Sequence, residues 1–213
     1  MFKFIKSLFS SANSDVKTKT PPLLDQQPDT GESTTPAKEL LKQATSLKKE
    51  KKYDQACEKL QESYQALGAE NLTIKDRLRL PMYLQLAKRN EEGWNELNRL
   101  TLKYIDVSSQ VEIANQMRIF LQNDQKYAQA ILFAIWTLCK EIERDRFNQT
   151  ISEQLIQENM APNNIESRIS PLLKKENKPH LTETISKQTS EYLQSTQHYD
   201  LRAIKNLLSE IME

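Results

Sequence analysis

Few side chains in this 213-residue chain have the types and spacing that chemistry requires. His180 and His198 are the only histidines, and His180 with Glu183 one helical turn on is the nearest thing to a metal-ligand pair. A bound ion needs three or four such ligands, so the pair predicts a solvated helix start and no metal. Cys57 and Cys139 have no histidine close in sequence to activate them, and both fall on or near apolar helical faces. There a thiol acts as a small hydrophobe, and two cysteines are too few for a disulfide framework. That usage predicts a reducing, cytoplasmic setting. Gly31, Gly68 and Gly93 are too few and too scattered for a phosphate-cradling loop. The carboxylate groups Glu91, Glu92, Glu96 and Glu141, Glu143, Asp145 are interleaved with Lys and Arg at helical spacing, which predicts solvated ion pairs. No catalytic residue and no cofactor is expected, and the chain reads as a non-enzyme.

Charge offers recognition only locally, since 30 basic and 29 acidic side chains leave a net charge of +1. The clusters are Lys48, Lys49, Lys51 and Lys52 in KKEKK, then Arg77 with Arg79, and Lys88 with Arg89. Residues 37–105 carry 14 basic and 10 acidic groups. Stacked on one edge, these clusters would make a stripe able to meet an acidic protein segment, nucleic-acid phosphates or lipid headgroups. Lys48, Lys49, Lys51, Lys52, Arg77 and Arg79 are therefore the candidate partner contacts.

The elements that must position these groups are helical, because only three glycines punctuate the chain. Residues 1–9, MFKFIKSLF, place Phe2, Phe4, Ile5, Leu8 and Phe9 on one helical face and Lys3, Lys6 and Ser7 on the other. The segment is too short to span a bilayer, and Lys6 interrupts the apolar run that a secretory signal needs. Those five apolar residues are expected to anchor the chain to a membrane surface or a partner groove. Residues 10–36, rich in Ser, Thr, Asp and Gln and holding four of the eight prolines, read as a disordered linker.

Between residues 37 and 50 the apolar positions Leu40, Leu41, Ala44 and Leu47 recur at steps of three and four. Tyr53, Ala56, Leu60, Tyr64 and Leu67 do the same over 53–67, with Gly68 as the expected helix end. The short connection through 48–52 forces an antiparallel hairpin. Leu40, Ala44, Leu47, Tyr53, Ala56 and Leu60 together resemble one tetratricopeptide (TPR) repeat, in which a small residue on each helix lets the backbones approach. Leu121, Tyr127 and Ala130 repeat the intervals of Leu47, Tyr53 and Ala56, although Arg118 replaces the small residue of the first helix. In the intervening segment 78–104, Trp94 and Leu97 take the places of Tyr and Ala, with a turn at Asn90–Gly93. That alignment gives irregular spacings of 41 and 33 residues and requires an insertion near 69–76. The resemblance covers about residues 37–140 and implies a curved stack that binds a peptide or partner helix.

After Tyr127 the pattern continues as one long helix, or two with a break near 145–148, and ILFAIWTLC (131–139) is apolar all round, hence core. Residues 161–213 read as shorter helices that cap the stack or form a dimerisation pair. The expected architecture is thus all-α: an amphipathic segment (1–9), a linker (10–36), stacked antiparallel hairpins (37–160) and a C-terminal helical segment (161–213). The expected function is a protein-protein adaptor, peripheral at the inner face of a membrane if residues 1–9 meet lipid. The alternative is a nucleic-acid-associated helical protein using the basic edge.

Overall fold

The computed structural model describes residues 35–212. They contain no strand, and the fold is all-α. In chain order the helices are α1 (Pro36–Lys49), α2 (Tyr53–Gln65), α3 (Ile74–Arg77), α4 (Arg79–Leu86), α5 (Asn90–Lys103) and α6 (Val107–Asn123), followed by α7 (Tyr127–Asn148), α8 (Glu153–Asn159), α9 (Pro162–Lys175), α10 (Thr182–Ser195) and α11 (Leu201–Met212). Residues 1–34, which include the predicted anchor Phe2, Phe4, Ile5, Leu8 and Phe9 and most of the predicted linker, lie outside the described residues.

One turn is built repeatedly. After α1 the N–H of Lys51 donates to Lys48 O (3.0 Å) and that of Lys52 to Leu47 O (2.9 Å), with Lys51 at φ 62°. These are the paired bonds of a Schellman motif, which satisfies the last carbonyls of a helix. The same pair recurs after α4, where Lys88 donates to Gln85 O (3.1 Å) and Arg89 to Leu84 O (2.8 Å). It recurs after α6 through Gln125 and Lys126, and after α9 through Asn177 and Lys178. Lys88, Gln125 and Asn177 occupy the left-handed region at φ 63°, 59° and 60°.

The first three turns put Leu47, Leu84 and Leu121 in equivalent places, at a fixed interval of 37 residues. This corrects the sequence alignment of the middle hairpin. The turn lies at 87–89, and Asn90 and Gly93, not Trp94 and Leu97, correspond to Tyr53 and Ala56. No insertion is needed, because α3 and α4 together occupy the place of α1. Their break at Leu78 follows from Pro81, which has no N–H to give the carbonyl of Arg77. The Tyr64 hydroxyl supplies the missing donor, lying 2.9 Å from Asp76 O and 3.2 Å from Arg77 O. A second correction concerns α2, which ends at Gln65 and leaves Leu67 exposed, while Gly68 at φ 87° starts the next turn.

Small residues at the equivalent position let paired helices approach. Ala56 and Ala130 are wholly buried, and a Cβ on Gly93 would lie 2.8 Å from the Phe120 ring and 2.9 Å from Pro81 O. Successive elements then pack in order: α1 on α2, α2 on α4, α4 on α5, α5 on α6, α6 on α7, α7 on α9 and α9 on α10, with α11 against α7 and α10. One buried cluster joins Ala37, Leu41, Ala44, Leu60, Tyr83 and their neighbours around α1, α2 and α4. A larger one runs from Leu78 to Leu208. It includes ILFAIWTLC, as expected, except that Trp136 is only partly buried, and it continues through Met160 into α9, α10 and α11.

Candidate functional site

The hairpin turns do stack along one edge. Arg89 reaches Asp54 (3.3 Å), joining the first two turns, and Asp124 accepts from Asn90 (2.6 Å) and Gln85 (3.0 Å), joining the second and third. Three of the basic groups there are paired: Lys52 with Glu50 (2.7 Å), Arg89 also with Glu92 (2.7 Å), and Lys126 with Asp124 (3.0 Å). The hydrogen bond from Arg89 holds the Glu92 carboxyl below its usual range.

Of the six predicted contacts, Arg77 leaves the set. It is buried, donates to Ala69 O (2.6 Å) and sits 4.8 Å from the Tyr64 ring centre. Its place beside Arg79 in a basic cluster suggests a surface charge, but the side chain is buried against Ala69 and Tyr64 at the break between α3 and α4. Arg79 is partly buried and bridges helices, donating to Leu41 O (2.9 Å) and Thr45 Oγ1 (2.6 Å) on α1. Lys48 lies 5.4 Å from the Tyr83 ring centre. Lys49, Lys51 and Lys52 are exposed.

A better-formed site lies toward the opposite edge, among residues that belong to no sequence motif. The end of α5, the first half of α6, the middle of α7 and the start of α11 enclose an open cleft of about 290 Å³. Gln110 fixes one lip by donating its amide to the carbonyls of Thr101 (2.9 Å) and Tyr104, which holds the short α5–α6 connection in place. Asp106 lies one turn before it as the α6 N-cap, and accepting the Ser109 N–H holds that carboxyl below its usual range. Ile113, Ala114 and Met117 present the apolar wall of α6.

Two aromatic residues of α7 face that wall. Phe133 is locked by the edge-on ring of Trp94 (centroids 5.8 Å apart, 87° between planes), and Trp136 stays partly open. The Lys140 ammonium lies 4.3 Å from the Trp136 ring centre, its charge met by Glu143 at 2.7 Å. Residues 199–201 close the cleft. The Tyr199 hydroxyl takes a hydrogen bond from Arg146 (3.1 Å), and burial raises its pKa. Asp200 is exposed; its N–H donates to Tyr192 Oη (3.0 Å) and its carboxylate accepts the N–H of Arg202 (2.9 Å). The cleft therefore combines apolar and aromatic walls with an amide and a carboxylate at the rim. Such a lining holds an apolar body and orients it through a cationic or hydrogen-bond-donating neighbour.

The remaining residues singled out in the sequence are buried thiols, exposed groups or members of ion pairs. Cys57 and Cys139 are buried, and burial raises both thiols, Cys57 to about 11. His180 and Glu183 are exposed, and no cluster among the described residues has the ligands for a metal ion. Glu96 pairs with Arg99 (2.6 Å), Glu141 with Arg168 (2.8 Å) and Asp145 with Arg144 (2.8 Å). Among the described residues no helix is long and apolar enough to cross a membrane. No protein-family model, curated protein or solved structure matches this chain.

Proposed function

We propose that this chain is a non-enzymatic binding scaffold of TPR-like hairpins, whose cleft between α5, α6, α7 and residues 199–201 takes an apolar side chain of a partner segment beside a basic residue. The observation that carries this reading is the cleft itself: Phe133, Trp136, Ile113 and Met117 in the walls, with the Asp200 carboxylate and the Gln110 amide at the rim. At about 290 Å³ it lies at the lower end of ligand-pocket sizes, which suits one or two side chains. The repeated turn, the constant interval and the small residues Ala56, Gly93 and Ala130 support the TPR-like assignment. They make a rigid frame on which loop and helix residues hold a site.

The test is titration of the full chain with short peptides that pair an aromatic residue with lysine or with glutamate. Binding is read from the two indole N–H resonances, with Trp136→Phe used to assign them. The lysine peptides are expected to shift Trp136, and Asp200→Asn, which removes the charge and keeps an acceptor for the Arg202 N–H at the start of α11, to weaken them about threefold with little change in Tm. Equal binding of both peptide classes would remove Asp200 from the site, and an unmoved Trp136 would remove the cleft.

A further inference from the structure

We infer that the occupant of this cleft is the chain's own residues 1–9, docked in cis so that a partner must displace them. The inference rests on the binding role just proposed for the cleft and names what fills it. MFKFIKSLF supplies the chemistry the lining asks for, since Phe2, Phe4 and Phe9 are aromatic anchors and Lys3 and Lys6 alternate with them as the cations. Asp200 lines the cleft and Asp106 caps the helix that carries Gln110, and both carboxylates are of the complementary sign. Two cations against its lining, Lys140 at Trp136 and Arg146 at Tyr199, are already paired with Glu143 and Glu153.

The described chain begins on the correct edge. Thr35 packs against Gly68 where α2 has ended, and Ala37 N–H donates to Leu67 O (3.3 Å). From there α3 leads to α6 through the Lys75–Glu112 ion pair (3.4 Å), and Glu112 neighbours Ile113 of the cleft wall. Residues 10–34 can span up to about 80 Å, several helix diameters, so reach does not limit the contact.

Affinity decides between a tethered occupant and a free one. A cleft that takes one or two side chains binds them with a Kd on the order of millimolar. A segment tethered by a connection of this length is present at an effective concentration of the same order. It therefore occupies the cleft in cis about half of the time, whereas a second copy of the chain at micromolar concentration occupies it hardly at all.

The experiment places a nitroxide on residue 7 of the full chain (Ser7→Cys), where the buried Cys57 and Cys139 do not compete for the label. The readout is paramagnetic broadening of the Trp136 indole and Met117 methyl signals. Broadening that persists on tenfold dilution, disappears with Phe2→Ser/Phe4→Ser and falls about twofold with Asp200→Asn is the expected result. Broadening that fades on dilution identifies a second copy as the occupant and overturns the cis contact. A cleft untouched by the label overturns it as well. If aromatic–lysine peptides still shift Trp136 in that case, the binding role of the cleft stands without its own segment; if none does, both fail.

Discussion

Gly93 shows how a single side chain is decided by competing magnitudes. On helix propensity alone, glycine inside α5 costs about 1 kcal/mol relative to alanine. An added Cβ, however, would lie 2.9 Å from Pro81 O, a backbone atom that cannot swing aside, and 2.8 Å from the Phe120 ring. Overpacking of this kind costs about 1–3 kcal/mol, so Gly93→Ala is expected to lower the Tm by a few degrees, whereas the equivalent Ala56 and Ala130 already carry a Cβ. Thermal melts of the full chain check the sign, and a stabilised Gly93→Ala would mean that α4 and α5 are free to move apart. Tyr64 is the matching case for a polar group. It falls in the apolar periodicity of α2, yet its hydroxyl serves two carbonyls that the break at Leu78 leaves without ordinary helical partners.

At the scale of the element, the repeated turn carries a cost that its sequence does not relieve. Lys88 and Gln125 stand in the left-handed region, which disfavours L side chains by about 1–2 kcal/mol. Glycine would relieve that strain and lose about 0.4–1 kcal/mol through the greater entropy of the unfolded chain. Lys88→Gly and Gln125→Gly are each expected to gain about 0.5–1 kcal/mol, and to add in the double variant because the two turns act separately. Asn177→Gly should gain less, since asparagine tolerates that conformation. Chemical denaturation curves measure all four variants, and a loss at Lys88 would show that its side chain does more than close a turn.

The first hairpin and the start of α7 were legible because apolar periodicity and short charged connections report directly on amphipathic helices, whereas the end of α7 was left between one long helix and a break near 145–148. The register of the middle hairpin was not, because Asn90 and Gly93 share neither ring nor methyl with Tyr53 and Ala56; the equivalence lies in the backbone of the turn. Nor was the cleft legible. Its walls come from four stretches between Thr101 and Leu201, and the one local signal was Trp136 standing inside an apolar run with Lys140 one turn on.

For the molecule as a whole, the two buried clusters predict unequal stability along the array. In the cluster around α1, α2 and α4, five of the eleven buried residues are small (Ala37, Ala44, Ala56, Cys57 and Ala69), against three of 28 in the cluster from Leu78 to Leu208, so each residue of the first buries less apolar area on average. In a stack whose units contact mainly their neighbours, an end hairpin also has one interface where an inner one has two. The links from the first hairpin to the rest include the bonds of Tyr64 to Asp76 and Arg77, the reach of Arg79 to Leu41 and Thr45, and the exposed Arg89–Asp54 pair. Local opening should therefore start there, with amides of α1 and α2 exchanging at least about tenfold faster than those of α7, equivalent to about 1.4 kcal/mol. Arg79→Met should widen the gap by speeding exchange in α1 while leaving α7 unchanged, since Arg79 acts across the α1–α4 contact and not on the larger cluster. Hydrogen-exchange mass spectrometry on the full chain resolves both effects. Equal protection of α1 and α7 would mean that the two clusters unfold as one unit, and that the strength of the array lies in its continuous backbone packing rather than in the size of each core.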